Sequence, residues 1–411
     1  MKSKLNLSPN LIATAEAVRQ FRRRRWNPLR NVSPQMLARV LESFEFGNLR
    51  EFCVLAETVA ERDETIKSVK SKREKSVAAR PWDILLTTDS KEAHRHADKL
   101  REFWSRSRAV NAFDRNQRGG VGRLIKQMMS AVSFRYAAHH LIWKNDGGQL
   151  SATFEFVPLC FFKNNTGRLR FIRDESGDTD EELKEGEWMT TTGDGLMIAG
   201  LAAYLAKRYG IQDWLAFSEK FSMPGIVGAT SAGKGSPEGR AMKAAVEAFG
   251  QDWSAVMYGV KDTTKPPLHL IQPNGNPTEM PMPELVERID RRLAGLWRGG
   301  DLSSMSSNSG AGTGASLQAD AARILAVDDC QMISEAFHEV ERTVIGWYFG
   351  EGTEPLAHFK LMPPMESDKW DQLLLIKGLT KAGARIGQAD AAKRLGLRLA
   401  GNAERALGDH A

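Results

Sequence analysis

Cysteine is scarce in this chain. Only Cys53, Cys160 and Cys330 occur in 411 residues, far apart and without metal-ligand spacing. Such a set excludes a disulfide scaffold and reads as buried thiols in a reducing compartment. Long apolar runs are missing too. The longest, Gly195 to Ala206, is too short to span a bilayer. No continuous apolar core precedes the N-terminal arginines, so no secretory signal is read, and the chain is expected to be soluble and made in the cytoplasm. Catalytic signatures are equally absent. There is no Gly-x-Ser-x-Gly elbow, no HExxH, no paired-carboxylate motif, and no cysteine with an assignable histidine. His94 and His96 lie two apart on an expected helix and point to different sides, which is poor geometry for one metal. His139 and His140 have no carboxylate or nucleophile pattern beside them and read as structural. The expectation is a non-enzyme with no cofactor and no metal site.

What is present is enough apolar residue, 42%, for packed cores, and enough length for two or three structural units. A net charge of +6 permits contact with nucleic acid without demanding it. Residues 1–32 form a polar arm. There Arg22, Arg23, Arg24 and Arg25 stand between Phe21 and Trp26, a set able to grip a phosphate backbone or a neighbouring subunit, or simply to be solvated.

Residues 33–192 predict an α+β unit with an antiparallel sheet. Ser33-Pro34 is an N-cap followed by proline at the first helical position, and Leu37, Val40 and Leu41 give that helix its apolar face. A second helix is predicted from Leu49 to Val69 with Phe52, Leu55, Val59 and Ile66 inward. The basic stretch Lys67 to Arg80 follows, read as a solvated helix face, and then the strand-like Trp82 to Leu85. Helices are predicted over Glu92 to Arg106 and Leu124 to Tyr136. Asn145-Asp146-Gly147-Gly148 predicts a hairpin turn. Strands are expected at Thr153 to Val157, Phe161 to Phe162 and Leu169 to Ile172.

A long helix is predicted from about Gly195 to Phe221, capped by Asp194 and stopped by Met223-Pro224. Leu196, Leu201, Leu205, Tyr209, Leu215 and Phe221 keep near one stripe, and Gly200 and Gly210 are expected to weaken or kink it. A compact module over 223–280 follows: strand Gly225 to Gly228, helix Pro237 to Trp253, strand Leu268 to Ile271. A second amphipathic helix runs over 281–298, through Glu284 to Trp297. Next, 299–316 is nearly all Gly, Ser, Ala, Asn and Thr, the composition of a flexible loop. A long helix from Leu317 to Phe349 and a strand from Leu356 to Leu361 are predicted within 317–365. Residues 366–411 form a tail with helices at Asp368 to Lys377 and Ala382 to Leu397.

Two motifs offer other functions. Gly228-Ala-Thr-Ser-Ala-Gly233-Lys234-Gly235 fits the first part of a phosphate-binding loop after a strand. However, Gly235 stands where a magnesium-holding Ser or Thr belongs, and no acidic partner strand is positioned nearby. Leu379 to Leu399 has the rhythm of a helix-turn-helix, with Lys393 and Arg394 supplying part of a basic face. These leave a nucleotide-binding enzyme and a DNA-binding regulator as alternatives.

The segment GIQDWLAFSEKFSMPGIVG, ending at Gly228, resembles the signature of Mu-like phage portal proteins, in which a stem helix runs into a clip. Tyr136–Gly148 resembles a turn in the wing of such proteins, and Ile289–Ser316 their passage from stem into tunnel loop. The resemblance extends from about Ser33 to about Leu399, although the tail is short for a crown and the basic arm matches no motif. It implies a portal fold: a wing at 33–192, stem helices at 193–222 and 281–298, and a small α/β clip at 223–280. It also implies a tunnel loop at 299–316, a wing or crown helix and strand at 317–365, and a helical crown at 366–411. The implied assembly is a head-to-tail ring of about twelve copies at the capsid vertex. Double-stranded DNA would pass through it without sequence preference. Its partners would be the terminase large subunit, a head–tail adaptor, and capsid and scaffold proteins, with no membrane. Contacts to DNA in the channel would fall to Arg291, Arg292, Arg298, Ser303, Ser304, Ser306, Ser307 and Asn308. Lys234, Trp253, Lys261 and Lys265 would face the terminase or adaptor from the clip.

Overall fold

The computed structural model describes residues 32–172, 180–222, 225–249, 254–261, 268–271, 281–299, 313–363 and 376. The chain divides into two compact units, Met1–Met362 and Pro363–Ala411, and the described residues fall almost wholly in the first. The basic arm at Arg22–Arg25, most of the tail and the helix-turn-helix-like stretch lie outside them.

Helix α1 (Pro34–Glu45) starts where the sequence signals it, with the Ser33 hydroxyl accepting from the Met36 amide. The next helix does not run unbroken to Val69. It ends as α2 (Leu49–Arg62), and Asp63 caps a new helix, α3 (Glu64–Ala78), through its carboxylate on the Ile66 amide. An aspartate in extended backbone there satisfies orphan amides better than helix continuation would. The basic stretch is helical as expected, forming most of α3, but its face is only partly solvated. Lys67, Lys72 and Lys75 face solvent, whereas Arg73 and Glu74 are buried.

Strand β1 (Trp82–Leu86) and helix α4 (Lys91–Arg106, capped by Ser90) follow as expected. Strands β2 (Arg108–Asn111) and β3 (Asp114–Gly119) were not evident in the sequence, since β3 carries no apolar alternation. The helix expected over Leu124 to Tyr136 is two short ones, α5 (Val121–Met128) and α6 (Ser130–Phe134), closed by Arg135 at φ 77. Strands β4 (Tyr136–Asp146) and β5 (Gln149–Val157) meet at Gly147 and Gly148. Both glycines have positive φ, 62 and 91, as a tight primed turn requires. With β9 (Trp188–Thr192) they build a five-stranded sheet in the order β3-β2-β5-β4-β9. The sheet is mixed rather than antiparallel, because β2 lies parallel to β5. Strands β6 (Phe162–Lys163), β7 (Arg170–Ile172) and β8 (Asp180–Glu182) form a small separate sheet. Phe161, expected in a strand, ends a 3-10 turn instead.

Helix α7 (Met197–Ser222) is 26 residues long. It starts two residues after Gly195, which sits at φ 70, so Asp194 precedes the first turn instead of capping it. Gly200 and Gly210 do not break it. The small module between the two long helices contains β10 (Gly225–Thr230), α8 (Pro237–Phe249), β11 (Ser254–Tyr258) and β12 (Leu268–Ile271). Its sheet order is β11-β10-β12, with β11 parallel and β12 antiparallel to β10. Strand β11 has no counterpart among the elements predicted from the sequence, which pass from the helix ending at Trp253 directly to the strand at Leu268. Helix α9 (Pro281–Arg298) returns alongside α7. Helix α10 (Thr313–Phe349) begins before the expected Leu317, so the last four loop positions join its first turn. Strand β13 (Ala357–Leu361) closes the circuit by pairing antiparallel with β1, Trp82 opposite Leu361.

Two apolar clusters hold this frame. One joins α1, α2 and α3 to the near halves of α7 and α9 through Phe52, Leu55, Ile66, Leu201, Leu293 and Trp297. The other packs α4 and α10 on the sheets through Trp104, Phe154, Phe337 and Phe359. Each fully buried aromatic or aliphatic side chain contributes about 1.5–3 kcal/mol. The three cysteines are buried free thiols.

Candidate functional site: two stem helices and their anchorage

The two long helices around the clip run antiparallel, Gly200 meeting Trp297 at one end and Gly210 meeting Leu285 further out. Their near halves are core: Leu201, Leu205, Ile289, Leu293 and Trp297 are buried. Their far halves are not. Tyr209, Trp214 and Leu215 on α7, and Leu285 on α9, are exposed large apolar side chains, with Leu215 at 66%. The stripe predicted for α7 is therefore buried at Leu201 and Leu205 and open at Tyr209 and Leu215. Past that point α7 loses its core contacts, and the small module built from β10, α8, β11 and β12 follows its end.

Two buried ion-pair clusters fasten the stems, and neither was read from the sequence. Lys207 of α7 places its Nζ 3.0 Å from Asp63 and 2.7 Å from Asp290 of α9. The Thr65 hydroxyl donates to the same Asp290 carboxylate at 2.7 Å. Burial opposes the Lys207 charge, but hydrogen bonds to Asp290 and Asp63 outweigh it and raise its pKa above the ordinary lysine value. Asp63 thus caps α3 and holds both stems through one lysine. In the second cluster Arg73 donates through Nε and Nη2 to both oxygens of Asp329, each at 2.8 Å, and its Nη1 donates to the Trp297 carbonyl at 3.3 Å. Asp194 stands 3.9 Å away. A planar guanidinium suits this forked contact where an ammonium would not. It ties α3 to the end of α9, to the long helix α10 and to the approach to α7. No local pattern signals these clusters, since Lys207 and Asp63 are 144 positions apart and Arg73 and Asp329 are 256 apart.

Of the residues expected to touch DNA, Arg292 and Arg298 are exposed, and Arg291 is half-buried and paired with Glu287. Ser303, Ser304, Ser306, Ser307 and Asn308 lie outside the described residues. On the clip, Lys234 and Lys261 are exposed, and Trp253 and Lys265 fall outside the described residues.

The phosphate-loop-like stretch does lie between β10 and α8 of a parallel strand–helix–strand unit, but several of its amides are bonded within the turn itself. The Ala232 amide donates to Thr230 Oγ1, the Ser236 amide to the Gly233 carbonyl, and the Gly239 amide to Ser236 Oγ. Gly228 is there because a Cβ would lie 2.6 Å from Val246 of α8. Amides already engaged in this way do not cradle phosphates.

The described fold is thus a mixed helix-and-strand frame carrying two antiparallel long helices with a small module between them. A family profile described as the portal protein of Mu bacteriophage matches residues 54–397, and the chain belongs to that family. Solved structures share the fold at low identity. The neck of the native gene transfer agent (GTA) particle, computed with C12 symmetry, is 12% identical with a TM-score of 0.50. That match covers 84% of this chain and 93% of the other. The neck of the empty GTA particle, computed with C6 symmetry, gives 12%, 0.50, 82% and 90%. An HK97 family phage portal protein from Corynebacterium diphtheriae is 13% identical over 69% of this chain and 88% of its own, with a TM-score of 0.40. No curated protein matches the chain. Family membership supports the portal reading over the nucleotide-binding and helix-turn-helix alternatives.

Proposed function

We propose that copies of this chain close head-to-tail into a ring of about twelve at the capsid vertex, through which DNA is packaged and later ejected. The observation that carries this is the pair of clamped stems whose far halves expose Tyr209, Trp214, Leu215 and Leu285. Large apolar side chains left open on a rigid rod suit contact with the same rod of a neighbouring copy. The C12 symmetry of the GTA neck that shares this fold favours twelve. Residues 33–192 with 317–365 serve as the wing, 223–280 as the clip, 299–316 as the tunnel loop and 366–411 as the crown.

In this arrangement the stems line the channel, and Arg291, Arg292 and Arg298 on α9 meet the duplex. Ser303, Ser304, Ser306, Ser307 and Asn308 touch it from the tunnel loop. Hydroxyl and amide groups with few charges give weak, screened, sequence-blind contacts, which suit a strand that must keep moving. Lys234, Trp253, Lys261 and Lys265 present the clip to a terminase large subunit during packaging and to a head–tail adaptor afterwards. The wing meets capsid and scaffold proteins, and Arg22–Arg25 contact nucleic acid or the next subunit. The role is structural rather than catalytic. Native mass measurement of the purified chain tests it: a closed oligomer is expected. A stable monomer or dimer that binds ATP or one specific duplex overturns the reading.

A further inference from the structure

A separate cluster lies where α10 meets β13. His338 and Glu341 stand three apart on α10 and so share a face, and β13 lays His358 across that face. One nitrogen of each histidine and one oxygen of Glu341 lie within 4.8 Å of one another. Glu341 is fully buried. Its Oε1 accepts from the Phe359 amide at 2.6 Å, and its Oε2 faces His358 Nδ1 at 3.2 Å. The two imidazole rings have centroids 4.6 Å apart, tilted by 51°. His338 is held by a hydrogen bond to the Phe359 backbone.

These are the requirements of a metal-ligand set. Two imidazoles and a carboxylate converge, while the backbone of one residue, Phe359, bonds both His338 and one oxygen of Glu341. Zinc–ligand distances near 2.0–2.1 Å put donor atoms of a tetrahedral site roughly 3.3 Å apart. The Glu341–His358 pair already stands at 3.2 Å, and the donor atom of His338 lies within 4.8 Å of both. Nitrogen donors with a single carboxylate favour a transition metal over magnesium or calcium, which prefer oxygen throughout.

We propose that His338, Glu341 and His358 form a three-ligand site for a divalent transition metal, zinc by preference, that clips β13 onto α10. A water completes the coordination. Strand β13 is the partner of β1, so the clip secures the return of the chain to the wing after the longest helix among the described residues. This role is independent of the ring and of DNA.

The test uses the full chain, stripped with chelator and titrated with zinc by calorimetry. One zinc per chain at micromolar affinity or tighter is expected, with a rise in Tm on loading. His338→Asn and His358→Asn should each weaken binding at least about tenfold and abolish the Tm rise. Absence of stoichiometric binding by the unsubstituted chain overturns the site, leaving a hydrogen-bonded His–Glu–His contact only. So does unchanged binding by the double variant. If the variants fail to fold, the visible spectrum of the cobalt-loaded natural chain decides. Intense low-coordinate bands support the site, and the weak spectrum of hydrated cobalt contradicts it.

Discussion

Gly200 and Trp297 touch so closely that no side chain fits between them: a Cβ on Gly200 would lie 2.9 Å from Cη2 of the indole. The glycine that weakens α7 as an isolated helix is what lets the second stem approach it. Gly210 is less constrained, since its Cβ would meet Leu285 at 3.4 Å. Gly200→Val should therefore destabilise the chain by about 1–3 kcal/mol. Gly210→Ala should be neutral or stabilising by about 0.5–1 kcal/mol. Thermal unfolding at one fixed protein concentration separates them, and equal effects of the two would contradict this stem packing.

Arg73 and Asp329 are each buried by the other. Arg73→Met leaves a carboxylate without its partner and should cost about 3–5 kcal/mol. Adding Asp329→Leu should recover most of that loss, because two apolar groups need no pairing there. A double-mutant cycle by chemical denaturation measures this coupling; simple additivity of the two losses would show that the pair is not the clamp described.

His139 gives a pH dependence of known sign. It is wholly buried, neither ring nitrogen has a protein partner, and burial pushes its pKa down from 6.5 to about 3. The unfolded chain therefore takes up a proton that the folded chain refuses. Stability from this group is complete above pH 6.5 and is lost as pH falls from there towards 3, by up to about 1.4 kcal/mol per pH unit. His139→Leu should flatten the loss between pH 6.5 and 4. Parallel stability curves for the two proteins across that range would rule out this role.

Much of this was legible from local chemistry. Ser33-Pro34 capped its helix, Gly147-Gly148 turned its hairpin, and the two long helices with a strand–helix module between them followed from apolar spacing and proline punctuation. Readings failed where distant residues decide. Arg73 in a basic run looks solvated until Asp329 arrives on α10. Asp63 reads as one more charge in a helix until the amides it caps and Lys207 are both seen. His338, Glu341 and His358 carry no spacing signal, since a strand supplies the third group. Strand β3, with DRNQRG, has no apolar alternation and is a strand only because β2 offers it a ladder.

The assignment of 299–316 to the channel yields an effect on function rather than on stability. Replacing residues 300–312 by a short Gly-Ser linker should leave assembly intact and impair packaging or retention of DNA. Counting filled against empty heads checks it; a normal proportion of filled heads would remove the loop from the DNA path.

The central claim is that the stems meet their copies around an axis. Negative-stain imaging of the purified chain, without other phage components, tests it most directly. Closed rings of about twelve copies with a central hole are expected, and Trp214→Glu with Leu215→Glu should open or dissociate them. Discrete monomers or dimers, insensitive to those substitutions and binding ATP or a specific duplex, would contradict the account.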